Sequence, residues 1–334
     1  MHRAILFLST LIFCANAFAE APRASLQIKD LEDLADLTDH LLAGIESANG
    51  SLLLETGTYR ITRPLEIRLE QKQRVHIRSL NGPVTLIMDG PGPALRLVGS
   101  HEGTASPKSF EPATWNESFP IIEGLEILGS HPESIGIELV RCVKPTITRV
   151  SIRWCHNGIV LSERNRNVTI SDVHLYENSG IGLFLNDVNL HQINVANSHI
   201  SYNREGGIVV RNGNVRNLQI ANCDIEANMP ADDTPTTAAN VVLDVSGAAD
   251  NPRISIAEVA ITGSTIQHSS NYTRGDMEEI APGGANIRIL GNEEYLIDSV
   301  TIHGNIISDT SVLVDVSHAM DVNFTGNAFF APNP

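Results

Sequence analysis

Residues 147–161 read ITRVSIRWCHNGIVL, and the pattern of this stretch returns in residues 170–185, ISDVHLYENSGIGLFL. In each stretch an aliphatic residue is followed by a second one five positions later, and a Gly then leads into an alternating apolar segment. Strict alternation over three to six residues, rich in Ile, Val and Leu, predicts short strands with one buried face. These two stretches therefore predict a repeating unit of three strands.

The unit recurs through most of the chain. The first apolar position of each repeat is occupied by Ile122, Ile147, Ile170, Val195, Ile220, Ile261, Ile302 and Phe324. The position five residues later is occupied by Ile127, Ile152, Leu175, Ile200, Ile225, Ile266, Ile307 and Phe329. The strand that follows a small residue begins with Ile137, Ile159, Ile181, Ile208, Val241, Ile287 and Val312. One repeat is too short to bury its apolar face alone, so successive repeats must stack in parallel.

The predicted fold class is all-β, a right-handed parallel β-helix solenoid with an N-terminal capping α-helix. Ile147, Ile170, Val195 and Ile220 should then share one interior column. Asn residues at the bends, such as Asn178 and Asn203, should tolerate left-handed backbone and bond their stacked neighbours. The helix is expected over Leu31 to Ala48, where Leu and Ile recur with helical periodicity, and it would cover the open first rung.

This helix and the segment GSLLLETGTYRI (residues 50–61) resemble the opening of the pectate-lyase-like β-helix superfamily, and the later Gly-Ile-x-Leu strands resemble its body. The resemblance implies the fold and a carbohydrate-related role, since the superfamily contains lyases, glycoside hydrolases, epimerases and non-catalytic proteins. The superfamily's active-site patterns are missing, apart from His156-Asn157-Gly158-Ile159, which approaches a Gly-His-Gly motif. The resemblance therefore assigns no catalytic residue.

The N-terminus has the features of an export signal. Met1-His2-Arg3 is a short basic start, Ala4 to Ala15 is an almost unbroken apolar run, and Ala17-Phe18-Ala19 supplies small residues for cleavage. The run is too short for a membrane anchor, which needs roughly 20 residues. The predicted organisation is a signal peptide at 1–19, an N-terminal segment with the capping helix at 20–50 and a β-helix domain at 51–334. The protein is expected to be secreted or periplasmic, without a membrane span.

The net charge of −16 opposes binding to nucleic acid or to an anionic membrane. An anionic polysaccharide would need a bridging cation, so Ca²⁺ is left open, and no other cofactor is expected. No His-Glu-x-x-His or calcium-loop spacing indicates a dedicated metal site. Cys142, Cys155 and Cys223 follow the signal peptide, and buried free thiols are favoured over one disulfide.

Two candidate sites follow from the register. The first lies at the corner between the second and third strands, where two longer loops, roughly Met229 to Ala239 and Ser269 to Ala285, should form one wall of a groove. Its candidate catalytic residues are His156, Glu177, Arg204 and Glu205, and its candidate substrate-binding residues are Tyr176, Tyr202, Trp115, Arg274 and Asp276. Such carboxyl groups would act as acid and base on a glycosidic bond, or Arg and His would abstract a proton beside a uronate carboxylate. The alternative is a set of ordinary solvated turn residues.

The second candidate patch is His174, His199, Asp224 and Glu226, on the outward face of the second strand. Two histidines and an aspartate in consecutive rungs would be close enough to share a metal or a proton. Trp115 lies on a separate loop, and packing against the solenoid wall is an alternative to stacking on a sugar.

Two functions are carried forward: a polysaccharide lyase or glycoside hydrolase, and a non-catalytic polysaccharide-binding or adhesin-like protein. Self-association through an uncapped C-terminal rung is also expected.

Overall fold

The computed structural model describes residue 31 and residues 34–72, 74–104, 106, 108, 110–230, 234–247, 254–268 and 281–330. The chain divides into two units, Met1–Leu34 and Ala35–Pro334. Only Leu31 and Leu34 of the first unit are described, so the predicted signal peptide lies outside the described residues. The second unit is the solenoid. No helix among the described residues is both long enough and apolar enough to cross a membrane.

Three parallel sheets run the length of the second unit, and each turn of the chain contributes one strand to each sheet. The first sheet contains β1 Leu52–Leu54, β4 His76–Ser79, β7 Ile121–Glu123, β10 Thr146–Thr148, β13 Arg164–Ser171, β16 Asn189–Ala196, β19 Asn214–Ala221, β22 Ser255–Thr262, β25 Ile297–His303 and β28 Ala319–Thr325. The second sheet contains β2 Gly57–Ile61, β5 Val84–Met88, β8 Glu126–Gly129, β11 Ser151–Arg153, β14 His174–Tyr176, β17 His199–Ser201, β20 Asp224–Glu226, β23 Thr265–Gln267, β26 Ile306–Ser308 and β29 Ala328–Phe330. The third sheet contains β3 Leu65–Arg68, β6 Gly92–Val98, β9 Ser134–Val140, β12 Asn157–Ser162, β15 Ile181–Asn186, β18 Gly206–Arg211, β21 Ala239–Asp244, β24 Ala285–Leu290 and β27 Val312–Ser317. We call the connections from the first to the second sheet the first corner, those from the second to the third sheet the second corner, and those returning to the first sheet the third corner.

The predicted interior column is confirmed. Ile147 pairs with Ile170, Ile170 with Val195, and Val195 with Ile220. The same column continues in both directions and contains Leu52, Ile77, Ile122, Ile147, Ile170, Val195, Ile220, Ile261, Ile302 and Phe324. All of these side chains are buried except Phe324 in the last rung. Each aliphatic side chain is therefore shielded by like residues about 4.8 Å above and below.

The predicted register of the third sheet is wrong in two rungs. Ile159 pairs with Leu183 and not with Ile181, and Ile287 pairs with Val314 and not with Val312. Both errors are shifts of two residues. A shift of two leaves every side chain on the same face of the strand, so the alternation of apolar residues alone cannot detect it.

The N-terminal helix is confirmed but is shorter than predicted. α1 spans Thr38–Ser47 and buries Thr38, Leu41 and Ile45, and the two apolar side chains join the core cluster of the first rungs. It does not begin at Leu31, because Asp36 forms a parallel bridge with Arg60 of β2. The Asp36 carboxylate accepts hydrogen bonds from Thr38 and Thr62, which hold its pKa at about 2. The other helix, α2, spans Thr114–Glu117, and Leu69–Gln71 is a 3-10 turn.

The two longer loops do leave the second corner, between β20 and β21 and between β23 and β24. Within their described parts the Thr236 amide donates to the Pro282 carbonyl, so the loops contact each other. These loops are insertions into two of the repeats. The prediction placed the whole of both insertions at this corner, and that is wrong. Part of the first insertion lies at the third corner, where residues 245–254 connect β21 to β22.

An asparagine ladder lines the inside of the second corner. The Nδ2 of Asn178 donates to the Oδ1 of Asn203 at 2.8 Å, and Asn203 donates to Asn228 at 2.7 Å. Asn228 then donates to Asn240, and Asn240 to Asn286, each at 2.8 Å. All five side chains are buried, and Asn203 also donates to the Leu175 carbonyl. The ladder satisfies polar groups that each rung would otherwise bury without a partner.

Cys142, Cys155 and Cys223 are free and buried, as predicted. Burial raises the pKa of the Cys142 and Cys155 thiols to about 12. At the other end, Phe324 and Phe329 close their interior columns but are 38% and 47% exposed. Self-association through this rung stays a prediction.

Asn203→Ala should lower the free energy of unfolding by about 2–4 kcal/mol, because it removes the acceptor of the Asn178 backbone and side-chain amides and one of the two donors to the Asn228 Oδ1. Urea unfolding followed by circular dichroism measures the change. Asn194→Ala on the outer face of β16 is the matched control and should stay within about 0.5 kcal/mol of the unsubstituted protein. Equal effects of the two substitutions would contradict a structural ladder.

Candidate functional site

A cavity of about 670 Å³ opens at the first corner, beside the outer face of the second sheet. Connections of successive rungs form its wall, and its ionisable lining residues are Glu126, Arg149, Asp172 and His174. Both charge signs meet in one open groove. A groove of this size accommodates a small organic molecule or part of a polymer.

The solenoid register sets which side chains lie along this groove. One outward position of the second sheet is occupied in successive rungs by Glu126, Ser151, His174, His199, Asp224 and Thr265. The residue after each of them points inward and is fully buried, as Ile127 and Ile152 show. With about 4.8 Å between rungs, the column from Glu126 to Asp224 is about 19 Å long. The cavity thus continues into a polar strip along the solenoid.

The two histidines of this strip stack on each other. The ring centroids of His174 and His199 are 4.9 Å apart, and the rings are inclined by 3°. Burial, and then the nearby charge of His199, lower the pKa of His174 below its usual 6.5. His174 is therefore neutral at pH 7. His199 lies between His174 and Asp224 in the stack, and the His199 Nδ1 is 3.6 Å from the Asp224 Oδ2.

Asp224 has one oxygen directed at His199 and one that is buried. Its Oδ1 is shielded from solvent and has no hydrogen-bond partner among the described residues. Glu226 points to the same face two residues later on β20. Arg153 supplies a cation at the edge of this face. Its guanidinium lies 3.4 Å from Glu126 and over the rings of Trp154 and Tyr176. The four residues of the second candidate patch therefore lie on one face, with an arginine at its edge.

The sequence reasoning missed Arg149 and Asp172, which line the cavity at the first corner. The Arg149 guanidinium forms a short ion pair with Glu123, which also accepts from His76 at 2.9 Å. The hydrogen bond from Arg149 and that from His76 lower the pKa of Glu123 against the opposing effect of burial. Glu123 therefore stays ionised and holds Arg149 in position. The missed signal was the charged residue directly after β10 and after β13 of the first sheet.

A catalytic role for the first candidate site stays a prediction. His156, Glu177, Arg204 and Glu205 do lie at the second corner of neighbouring rungs. Glu177 accepts a 2.9 Å hydrogen bond from the Trp154 indole, and the His156 Nδ1 lies 3.3 Å from the Ser179 hydroxyl. These contacts are made between neighbouring turns and do not depend on a ligand.

The predicted substrate-binding residues are dispersed. Tyr176 lies on β14 beside Arg153, and Tyr202 lies at the second corner with left-handed backbone. Trp115 in α2 packs on Phe110, with ring centroids 4.5 Å apart, and has the Lys144 ammonium 4.4 Å above its ring. Arg274 and Asp276 lie outside the described residues.

Among the residues that the structure describes, no group of three or more His, Cys, Asp and Glu side chains is placed to hold a metal ion. Involvement of Ca²⁺ stays a prediction.

Comparisons with known proteins identify the fold. A family model described as a right handed beta helix region matches residues 120–255. The chain is similar to the ORF18 protein of Geobacillus virus E2, at 13% identity and a TM-score of 0.51, over 90% of this chain and 58% of that one. It thus spans less than two thirds of that protein. It is also similar to the enzymatically active domain of tailspike protein 2 of bacteriophage CBA120, at 11% identity and a TM-score of 0.57, over 89% of this chain and 41% of that one.

A third similar structure is the A-module of the mannuronan C-5 epimerase AlgE4 of Azotobacter vinelandii, at 15% identity and a TM-score of 0.45, over 89% of this chain and 94% of that one. No curated protein sequence matches the chain. With the three parallel sheets, the matching family model confirms the right-handed parallel β-helix.

His199→Gln should raise the pKa of His174, because the electrostatic effect of His199 is one of the two causes that lower that pKa. The pKa should remain below the ordinary value, since burial of His174 is unchanged. Following the His174 ring protons by NMR as a function of pH measures the shift. His303→Gln on β25 is the matched control and should leave the titration unaltered. An unchanged His174 pKa in His199→Gln would show that the two rings do not interact.

Proposed function

We propose that this chain is an exported carbohydrate-active protein that holds a polysaccharide along the outer face of the second sheet and cleaves it there, as a lyase or a glycoside hydrolase. One observation carries the proposal. His174, His199 and Asp224 occupy three successive rungs, and His174 lines the end of an open groove of about 670 Å³. A polymer lying along the solenoid would contact all three residues.

His199 is the candidate general acid–base residue. Its side chain is 57% exposed, and Asp224 behind it would orient the imidazole and stabilise the imidazolium form. His174 is neutral at pH 7 and would accept a hydrogen bond from a sugar hydroxyl. Arg149 and Arg153 flank the strip and would neutralise a uronate carboxylate when a proton beside it is removed, which is lyase chemistry.

Hydrolysis is supported by the pair of carboxylates on β20. Asp224 and Glu226 share the outer face, and a rise of about 3.3 Å per residue separates their Cα atoms by about 6.6 Å. Glycosidases use two carboxyl groups placed on either side of the scissile bond. The fold is compatible with both reactions, and the CBA120 domain that shares it is itself enzymatically active.

The purified protein should cleave at least one member of a panel of neutral and uronate-containing polysaccharides, assayed with and without Ca²⁺. New reducing ends without unsaturated uronate indicate a hydrolase, and both together indicate a lyase. His199→Gln should lower kcat by at least about 100-fold, the usual contribution of a general acid–base residue. The control His303→Gln should keep full activity.

Binding of a polysaccharide without cleavage would support the alternative, a non-catalytic binding or adhesin-like protein. Full activity of His199→Gln would place the chemistry elsewhere, with the second corner as the next site to test. The proposal fails if no polysaccharide is bound or cleaved.

Export is proposed from the N-terminal pattern of a basic start, an apolar run and small residues before Glu20. N-terminal sequencing of protein recovered from the medium or the periplasm should begin at Glu20. Recovery of the chain only from the cytoplasm, with Met1 retained, would contradict this localisation.

A further inference from the structure

A second cavity, of about 490 Å³, opens on the outer face of the first sheet near the third corner. Three of its lining residues are basic, namely Lys144, Arg166 and His191. Three others carry amides, namely Asn167, Gln192 and Asn217. No carboxylate is among its lining residues in the described part of the chain. For a chain with a net charge of −16 this concentration of positive charge is unexpected.

The solenoid register assembles the basic residues. Arg166 pairs with His191, and His191 pairs with Arg216, so they project from one position of three successive rungs. Lys144 joins them from the preceding rung, where its amide donates to the Arg166 carbonyl. Like charges about 4.8 Å apart repel each other. Burial and the neighbouring Arg164 lower the pKa of Arg166 to about 10, and burial with the nearby arginines lowers that of His191.

Among the residues that the structure describes, Arg216 has a carboxylate partner and Arg166 has none. Arg216 lies 3.8 Å from Glu258, on the side away from Arg166. Arg166 is only 2% exposed, and its hydrogen bonds within the described residues go to neutral oxygens, the carbonyls of Asn165 and Asn189 and the Asn189 amide. A buried guanidinium without a carboxylate partner is costly, and a bound anion would offset that cost.

Two buried polar atoms at the cavity lack partners among the described residues. One is the Nε of Arg166, a donor, and the other is the Oδ1 of Asn167, an acceptor. Buried polar groups are normally hydrogen-bonded, so an unpaired donor and an unpaired acceptor on two lining residues of one cavity indicate a ligand with complementary groups. An anion alone cannot satisfy the acceptor. A molecule that carries both an anionic group and hydroxyl groups can satisfy both.

The volume supports the same class of ligand. About 490 Å³ lies in the range of small-molecule pockets and far exceeds the need of one inorganic ion. Lys144 is also held over the rings of Phe110, Trp115 and Phe119, which fixes its ammonium at the edge of the cavity. We propose that this cavity is a binding site for an acidic saccharide unit, whose carboxylate or sulfate lies against Lys144 and Arg166 and whose hydroxyl groups bond the surrounding amides.

This site is separate from the proposed chemistry on the second sheet, since none of its residues belongs to the His174–Asp224 strip. It would serve as an anchoring subsite if the protein degrades an acidic polysaccharide. It would equally bind an acidic saccharide if the second sheet has no catalytic activity. Binding measured without turnover therefore tests it independently.

Isothermal titration calorimetry of the full chain with sodium glucuronate should show saturable binding that weakens as salt is added, and glucose at the same concentrations should show none. Lys144→Gln should weaken glucuronate binding by at least about tenfold, the usual cost of losing a charge-assisted hydrogen bond. Lys144→Arg should restore it, because the charge is retained. Arg211→Gln, an exposed arginine on β18 of the third sheet, is the matched control and should bind as the unsubstituted chain does.

The position of the ligand is tested by fluorescence. The chain has two tryptophans, so Trp154→Phe leaves Trp115, which touches Lys144, as the reporter. Its emission should change with glucuronate over the concentration range found by calorimetry. The proposal would be overturned if glucose bound as well as glucuronate, or if no saturable binding were seen. It would also be overturned if Lys144→Gln bound glucuronate as tightly as the unsubstituted chain. Binding of inorganic sulfate but not of glucuronate would overturn the assignment to a saccharide.

Discussion

Lateral stacking of aliphatic side chains between successive rungs is the interaction on which the rest of the molecule depends. No rung of three short strands buries its own apolar face, and ten rungs placed in register produce a continuous interior in which Ile, Val and Leu pack on like residues. The asparagine ladder at the second corner applies the same rule to polar groups, since each amide is satisfied by the rung above or below. A single rung therefore has neither a dry core nor satisfied corners. α1 covers the first rung, while the last one leaves Phe324 and Phe329 partly exposed.

The register that builds the core also orders the outside. Every outward position becomes a column with about 4.8 Å between residues, so ionisable groups far apart in sequence become neighbours. On the second sheet this places His174, His199 and Asp224 in contact distance, and on the first sheet it places Arg166, His191 and Arg216 in a cationic column. The two columns differ in how their charges are compensated. The first contains its own carboxylate, whereas within the described part of the chain Arg166 has neutral acceptors alone and an unpaired Nε.

Much of the fold could be predicted because the period is strong where the rungs are regular. The column through Ile147, Ile170, Val195 and Ile220 followed directly from the spacing. The errors occurred where the pattern is degenerate or interrupted. Two-residue shifts in the third sheet preserve the alternation, and the start of α1 depends on the pairing of Asp36 with Arg60, which has no periodic signature. The residues of the candidate patch on β14, β17 and β20 share one face. The face on which a side chain lies follows from the alternation within its own strand, which the local sequence defines. Its neighbour Arg149 was missed because it lies at a corner, outside any strand.

The sequence by itself determined which residues share a column in the first and second sheets, because a side chain's face and its rung follow from alternation and repeat length there. Only the tertiary structure decided what each column does. It paired Glu177 with Trp154, opened the groove beside Glu126 and His174, and buried Arg166 against neutral acceptors. These outcomes depend on the conformation of the corners and on loops packed against the outer faces. Corners with left-handed residues and unequal lengths direct each side chain individually, so no repeat in the sequence encodes those contacts.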